Sequence, residues 1–155
     1  MKKARILYVD DEVGAARLLK LNLEATGRYE IMVQNWPEDA LETARAFRPD
    51  LVLLDLIMPR LPGGNVAEIF ASDPEFKDVP VVFFTASVRT ERIEDHDGII
   101  CDHPCLAKPA WLDQIAEFID ANLPRSVREE MPAPLPPAVV ASAAPSIFIR
   151  HPATS

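Results

Sequence analysis

The sequence predicts an α/β fold in which short parallel strands alternate with crossover helices. Three observations predict it. Apolar runs near the usual strand length of about five residues alternate, over residues 1–123, with longer segments whose apolar residues recur at helical spacing. Gly27, Pro49 and the group Pro62, Gly63 and Gly64 stand where such helices would end or begin. Charged residues, 26% of the chain, interrupt every apolar run far short of the ~20 residues a membrane span needs. At 155 residues there is room for one ordinary domain.

The first strand is expected at 5–9, followed by a helix at 13–26 that stops at Gly27. A second strand at 30–34 leads to a helix at 37–47, with Ala40, Leu41, Ala44 and Phe47 on one face and Pro49 behind it. The run 51–54 is a third strand. A helix after Gly64 turns Val66, Ile69 and Phe70 inward, and 81–84 is the fourth strand. Between 89 and 103, Glu91, Arg92, Glu94, Asp95, His96 and Asp97 dilute any apolar face, so a short or distorted fourth helix is expected. A weak fifth strand at 105–107 precedes a last helix at 110–123, which carries Leu112, Ile115, Ala116, Ile119 and Leu123 at helical intervals. From Pro124 the composition shifts to Pro and Ala and periodicity vanishes. Residues 124–155 are expected to form a disordered tail or linker, with a small apolar island at 146–149.

Net charge is −8, concentrated in residues 1–123, where 22 acidic side chains face 13 basic ones. An acidic body repels a phosphate backbone, which disfavours direct nucleic-acid binding. The basic start at Lys2, Lys3 and Arg5 is followed by too short an apolar stretch for a secretory leader, so a cytoplasmic protein without membrane attachment is expected. Cys101 and Cys105 are too few to staple such a domain and fit a reducing compartment.

In an open parallel sheet the loops at the carboxyl ends of the strands form the ligand crevice. Here the first strand ends in Asp10, Asp11 and Glu12, the third in Asp55, the fourth in Thr85 and the fifth in Lys108. Crowded carboxylates repel one another unless a hard cation sits among them, and Mg²⁺ prefers such oxygen donors. Asp55 beside such a metal is a candidate nucleophile toward phosphorus. Thr85 and Lys108 would hydrogen-bond and neutralise the oxygens of a transferred phosphoryl group. Glu12 suits the first turn of the following helix rather than a metal.

Five short motifs in order carry a family resemblance: Tyr8-Val9-Asp10-Asp11-Glu12, Asp55-Leu56-Ile57-Met58-Pro59, Gly63-Gly64, Thr85-Ala86 and Lys108-Pro109. Over residues 4–123 the chain resembles the receiver domain of bacterial response regulators. The resemblance implies a three-layer, flavodoxin-like doubly wound sandwich, with a five-stranded parallel sheet in the order 2-1-3-4-5 and helices on both faces. It implies that Asp10, Asp11, Asp55 and the Ile57 carbonyl hold Mg²⁺ and that Asp55 is the phosphoacceptor. The donor would be a sensor histidine kinase or a histidine phosphotransfer protein. Thr85 would read the phosphate and Lys108 would be its charge partner. Such a chain acts on its own aspartate and passes the signal to a downstream protein target. That target and homodimerisation stay open.

Three departures bear on this expectation. Receivers commonly carry an aromatic residue three positions before the lysine, where it couples phosphorylation to an output surface; here Cys105 stands there, and Trp111 is a nearby aromatic expected to pack at the start of the last helix. Ile57, two residues past the nucleophile, is bulky and apolar enough to crowd the path of a water attacking the acyl phosphate. The run His96, Cys101, His103 and Cys105 offers zinc-compatible side chains, but its spacing fits no usual zinc arrangement. The alternative function is a receiver-like interaction module that no longer signals through phosphate. A hydrolase of the aspartyl-phosphate class would want a carboxylate where Ile57 stands, and a dinucleotide-binding domain would want a G-x-G-x-x-G that is missing after the first strand.

Overall fold

The computed structural model describes residues 1–86, 99–100 and 103–134. Its elements are β1 (Ala4–Val9), α1 (Val13–Ala25), β2 (Tyr29–Gln34), a single 3₁₀ turn (Pro37–Asp39) opening α2 (Ala40–Phe47), β3 (Leu51–Leu54), α3 (Gly63–Ser72), β4 (Val81–Thr85), β5 (Ile99–Ile100), β6 (His103–Ala107), α4 (Leu112–Asn122) and α5 (Arg125–Glu130). The sheet order is β2-β1-β3-β4-β6-β5. Its first five members are parallel, in the expected order 2-1-3-4-5 once β6 is counted fifth. The two-residue β5 adds an antiparallel edge to β6, pairing Ile100 with His103.

Sheet position explains the sequence patterns. The central strands β3 and β4 are buried on both faces and read as unbroken apolar runs, whereas the edge strand β2 alternates buried Tyr29 and Ile31 with exposed Glu30 and Met32. One core layer packs Tyr8, Tyr29, Ile31 and Phe84 of the sheet against Leu19 and Leu23 of α1 and Ile115 and Ile119 of α4. The other packs Leu7, Val52, Leu54 and Phe83 against Ala44 and Phe47 of α2 and Val66 and Phe70 of α3. These two layers about one sheet are the doubly wound sandwich.

Helix ends follow local chemistry. After α1, Gly27 adopts φ 78°, and its N–H donates to the Glu24 carbonyl at 3.0 Å. After α2 the left-handed residue is Arg48, at φ 58°, ahead of Pro49. Most of the segment expected to hold a short or distorted fourth helix lies outside the described residues; its end, 99–100, is strand.

The expected boundary at 123 is corrected. Helix α5 continues the ordered chain, Met131 is buried in the first core layer beside Leu123, and the Lys2 N–H donates to the Glu130 carbonyl at 2.7 Å. Arg28 supplies the reason. Its guanidinium lies almost wholly out of solvent, where an unpaired charge is untenable. Asp120 meets it at 2.6 Å, and the Pro132 carbonyl accepts from its Nε at 2.9 Å. Residues 135–155, with the apolar island, lie outside the described residues. Among the described residues no helix is long and apolar enough to cross a membrane.

Candidate functional site

Sheet register assembles the site. Val9 pairs with Leu54 and Leu54 with Phe83, so Asp10 and Asp55 leave their strands side by side. The Asp55 N–H donates to the Val9 carbonyl at 3.0 Å. Thr85 pairs with Ala107, and the Lys108 N–H donates to the Thr85 carbonyl at 2.9 Å. Asp10, Asp55, Thr85 and Lys108 are therefore held at their strand ends by the ladder itself, whereas Asp11 and Ile57 stand in the loops beyond. The peptide bond between Lys108 and Pro109 is cis.

Asp10, Asp11 and Asp55 each offer a carboxylate oxygen within 4.8 Å of the others. Asp10 is fully buried, Asp55 half-buried and Asp11 exposed, so the cluster opens to solvent on one side. Three hard oxygen donors this close repel in the absence of a cation, and their chemistry fits Mg²⁺. Burial lifts the Asp55 carboxyl above its ordinary pKa, and Asp10 adds to the rise. The Thr85 hydroxyl, the Lys108 charge and the Ile57 N–H oppose it by stabilising the carboxylate.

Asp10 collects the strongest partners. It accepts from Lys108 Nζ at 2.7 Å, from the Tyr8 hydroxyl at 2.7 Å and from the Glu12 N–H at 2.9 Å. The Lys108 ammonium also lies 5.1 Å from the Phe84 ring centroid and 5.8 Å from that of Tyr8, within cation–π range of both. Glu12 thus contributes its backbone N–H to the site. Burial and the neighbouring Asp10 carboxylate push the Tyr8 phenol well above its usual pKa, so it remains a donor.

The structure brings together Asp10, Asp11, Asp55, Thr85 and Lys108, with Ile57 at the mouth. Lys108 reaches Asp10 directly rather than Asp55. Sequence reasoning missed Tyr8, although two-residue strand periodicity places Tyr8 and Asp10 on the same face of the sheet. It also missed Asn35, whose Nδ2 donates to the Asp10 carbonyl at 2.8 Å. The sequence marks Gly63 as a helix start and as part of a family motif but gives no reason for glycine there: a Cβ would stand 2.2 Å from the Asp55 carbonyl oxygen, so no side chain fits beside the Asp55 backbone.

Cys105 is buried opposite Phe83, and desolvation pushes its thiol up to about 11, which makes it a packed, unreactive side chain. His103 stacks edge-on against Phe83, and its Nδ1 lies 2.9 Å from the Val81 carbonyl. Of the zinc-compatible run, His96 and Cys101 lie outside the described residues. Trp111, expected to pack at the start of the last helix, stands at the N-cap of α4 and is 46% exposed.

The family model for the response regulator receiver domain matches residues 6–120. Among curated relatives, the DNA-binding dual master transcriptional regulator RpaA of Synechocystis is 32% identical over 127 residues, covering 80% of this chain and 51% of RpaA. The DNA-binding response regulator MtrA of Mycobacterium leprae is 38% identical over 88 residues, covering 57% of this chain and 37% of MtrA. The chain thus spans a third to a half of the length of the curated relatives it matches. The N-terminal domain of a response regulator receiver protein from Methanoculleus marisnigri superposes with TM-score 0.57 at 31% identity, over 78% of this chain and 97% of that one. The chemotaxis protein CheY4 of Vibrio cholerae shares the fold, with TM-score 0.67 at 21% identity, over 79% of this chain and all of CheY4. With the sheet order, the acidic cluster and the family match in agreement, the chain belongs to the response regulator receiver domain family of two-component systems.

Proposed function

We propose that the chain is a phosphorylation-dependent switch that accepts a phosphoryl group on Asp55 from a histidine kinase or phosphotransfer protein, using Mg²⁺, and thereby changes a protein-binding surface. The supporting observation is the convergence of three carboxylates within 4.8 Å, one of them joined to Lys108. In the transfer, an Asp55 carboxylate oxygen attacks phosphorus, the P–N bond of the donor phosphohistidine breaks, and the imidazole leaves with a proton. Lys108 and the Thr85 hydroxyl stabilise the charge on the phosphoryl oxygens, while burial of Asp10 keeps the ammonium in place. Asp10, Asp11, Asp55 and the Ile57 carbonyl would hold Mg²⁺, whose contribution is charge neutralisation between the carboxylates and the incoming phosphate.

Val13, Trp36, Ile57 and Trp111 each stand a few residues past the carboxyl end of a strand and are exposed. Apolar surface at that end of the sheet suits a protein that must approach Asp55. The acidic body argues against direct nucleic-acid contact by this domain, whatever the longer DNA-binding relatives do with the rest of their chains. Acetyl phosphate with Mg²⁺ should add one phosphoryl group, read by intact mass, and Asp55→Ala should abolish the gain. The second reading, an interaction module indifferent to phosphate, is favoured by Cys105, buried where receivers commonly carry a mobile aromatic. Failure of the wild type to gain mass would select that reading.

A further inference from the structure

We propose that Arg60 is a positioning residue for the metal site, acting through Trp36 and Glu38 to hold the loop that presents Ile57; this rests on the reading of the acidic cluster as a Mg²⁺ site. Ile57 is the loop residue nearest the chemistry, because its N–H donates to the Asp55 carboxylate and its carbonyl is the expected fourth ligand. The loop is anchored before and after it. Met58 is buried in the second core layer, and the Gly63 N–H donates to the Leu56 carbonyl at 2.8 Å. Between these anchors Pro59 and Arg60 are exposed, and among the described residues no backbone hydrogen bond ties this outer arc to another element.

The Arg60 side chain supplies a tie. Its Nε meets Glu38 Oε1 at 2.7 Å, and its guanidinium carbon lies 4.7 Å from the centroid of the Trp36 ring. Both partners belong to the connection between β2 and α2, which is itself fastened to the site. The Trp36 N–H donates to Gln34 Oε1 at 2.9 Å, and the adjacent Asn35 donates to the Asp10 carbonyl at 2.8 Å. A continuous path therefore runs from the loop bearing Ile57, through Arg60, to the backbone of Asp10. It joins two strand ends whose carboxylates must meet one ion.

Electrostatics and positioning predict opposite signs for one substitution, which makes the proposal testable. Removing a cation near an acidic cluster makes the local potential more negative and should by itself tighten Mg²⁺ binding. Loosening the loop should weaken it. Mg²⁺ binding measured by calorimetry on the full chain should be about threefold weaker in Arg60→Ala, as befits one exposed stacked ion pair, with Arg60→Lys in between. In a Trp111→Phe background the emission of Trp36 should change with Mg²⁺, and Arg60→Ala should abolish that change. Arg45→Ala, which removes a cation paired with Asp73 at 2.7 Å elsewhere on the surface, should bind Mg²⁺ as the wild type does. Equal or tighter binding by Arg60→Ala, or an equal loss in Arg45→Ala, overturns the positioning role alone. A wild type that binds no Mg²⁺ overturns the metal-site reading and this inference with it.

Discussion

Lys108 Nζ sits 2.7 Å from Asp10 Oδ2, and the carboxylate it meets is fully buried while the ammonium keeps only 19% of its side-chain surface in solvent. Lys108 therefore supplies the countercharge to the buried Asp10 carboxylate, and the Tyr8 hydroxyl and the Glu12 N–H add hydrogen bonds to it. The same ammonium is the group expected to meet a phosphoryl oxygen, so structural and chemical demands fall on one side chain.

Lys108→Met should accordingly lower folding stability by about 2 kcal/mol, below the usual penalty for breaking a fully buried pair because Tyr8 and Glu12 remain. Mg²⁺ near the same carboxylate should recover part of that loss. Urea denaturation with and without Mg²⁺ measures both effects. A variant as stable as the wild type in metal-free buffer would show that Asp10 does not depend on the lysine.

Asp55 carries a stability penalty with a defined pH dependence. Burial raises its folded pKa above the unfolded value, so the folded state binds the proton more tightly. Its contribution is favourable below the unfolded pKa and is lost as pH rises through the folded one; at neutral pH the ionised carboxylate is a burden. Asp55→Asn should therefore raise the melting temperature at pH 7 in metal-free buffer by roughly 2–4 °C. The advantage should shrink toward pH 4. Equal melting temperatures at pH 7 would mean that Thr85, Lys108 and the Ile57 N–H fully offset the burial.

Ile57 is 61% exposed at the mouth of the site. There its side chain can shield the acyl phosphate from water without contributing to the core. Ile57→Asn should speed acyl-phosphate decay several-fold, since a smaller polar side chain admits and orients water. Following loss of the phosphorylated mass after removal of acetyl phosphate gives the rate. A decay unchanged or slower in the variant rejects shielding by Ile57.

How much was legible in the sequence depended on whether the cause was local. Residues 51–54 and 81–84 declare themselves as central strands because both faces are buried, and Asp55, Thr85 and Lys108 are conspicuous as polar groups ending apolar runs. The convergence of these groups followed from strand order. Contacts made through a distant partner were hidden. The need for glycine at 63 comes from the Asp55 backbone passing beside it, and the clasp of Arg60 on Trp36 spans two loops. The strand β5, with two residues, is too short to leave a periodic signature.

The C-terminal extension shows the same limit most clearly and gives the last prediction. Val127 and Met131 are spaced four apart and pack on the core, but proline and alanine dilute the pattern, and the residue that demands the extension, Arg28, stands 104 positions before Pro132. The Arg28 guanidinium keeps 8% of its side-chain surface, and it reaches Asp120 at 2.6 Å and the Tyr29 hydroxyl at 2.9 Å, while Tyr29 donates to Asp120 at 2.6 Å. Asp120→Ala leaves that charge with only neutral acceptors, which should destabilise the fold by about 2–3 kcal/mol. The network lies at the start of β2, at the pole of the sheet opposite the carboxyl-end loops that hold Asp55. Phosphoryl uptake by Asp120→Ala, assayed at a temperature where the variant remains folded, should therefore match the wild type. A stability loss below about 0.5 kcal/mol, the range of ordinary surface substitutions, would mean that Arg28 is adequately served by the Pro132 carbonyl and water.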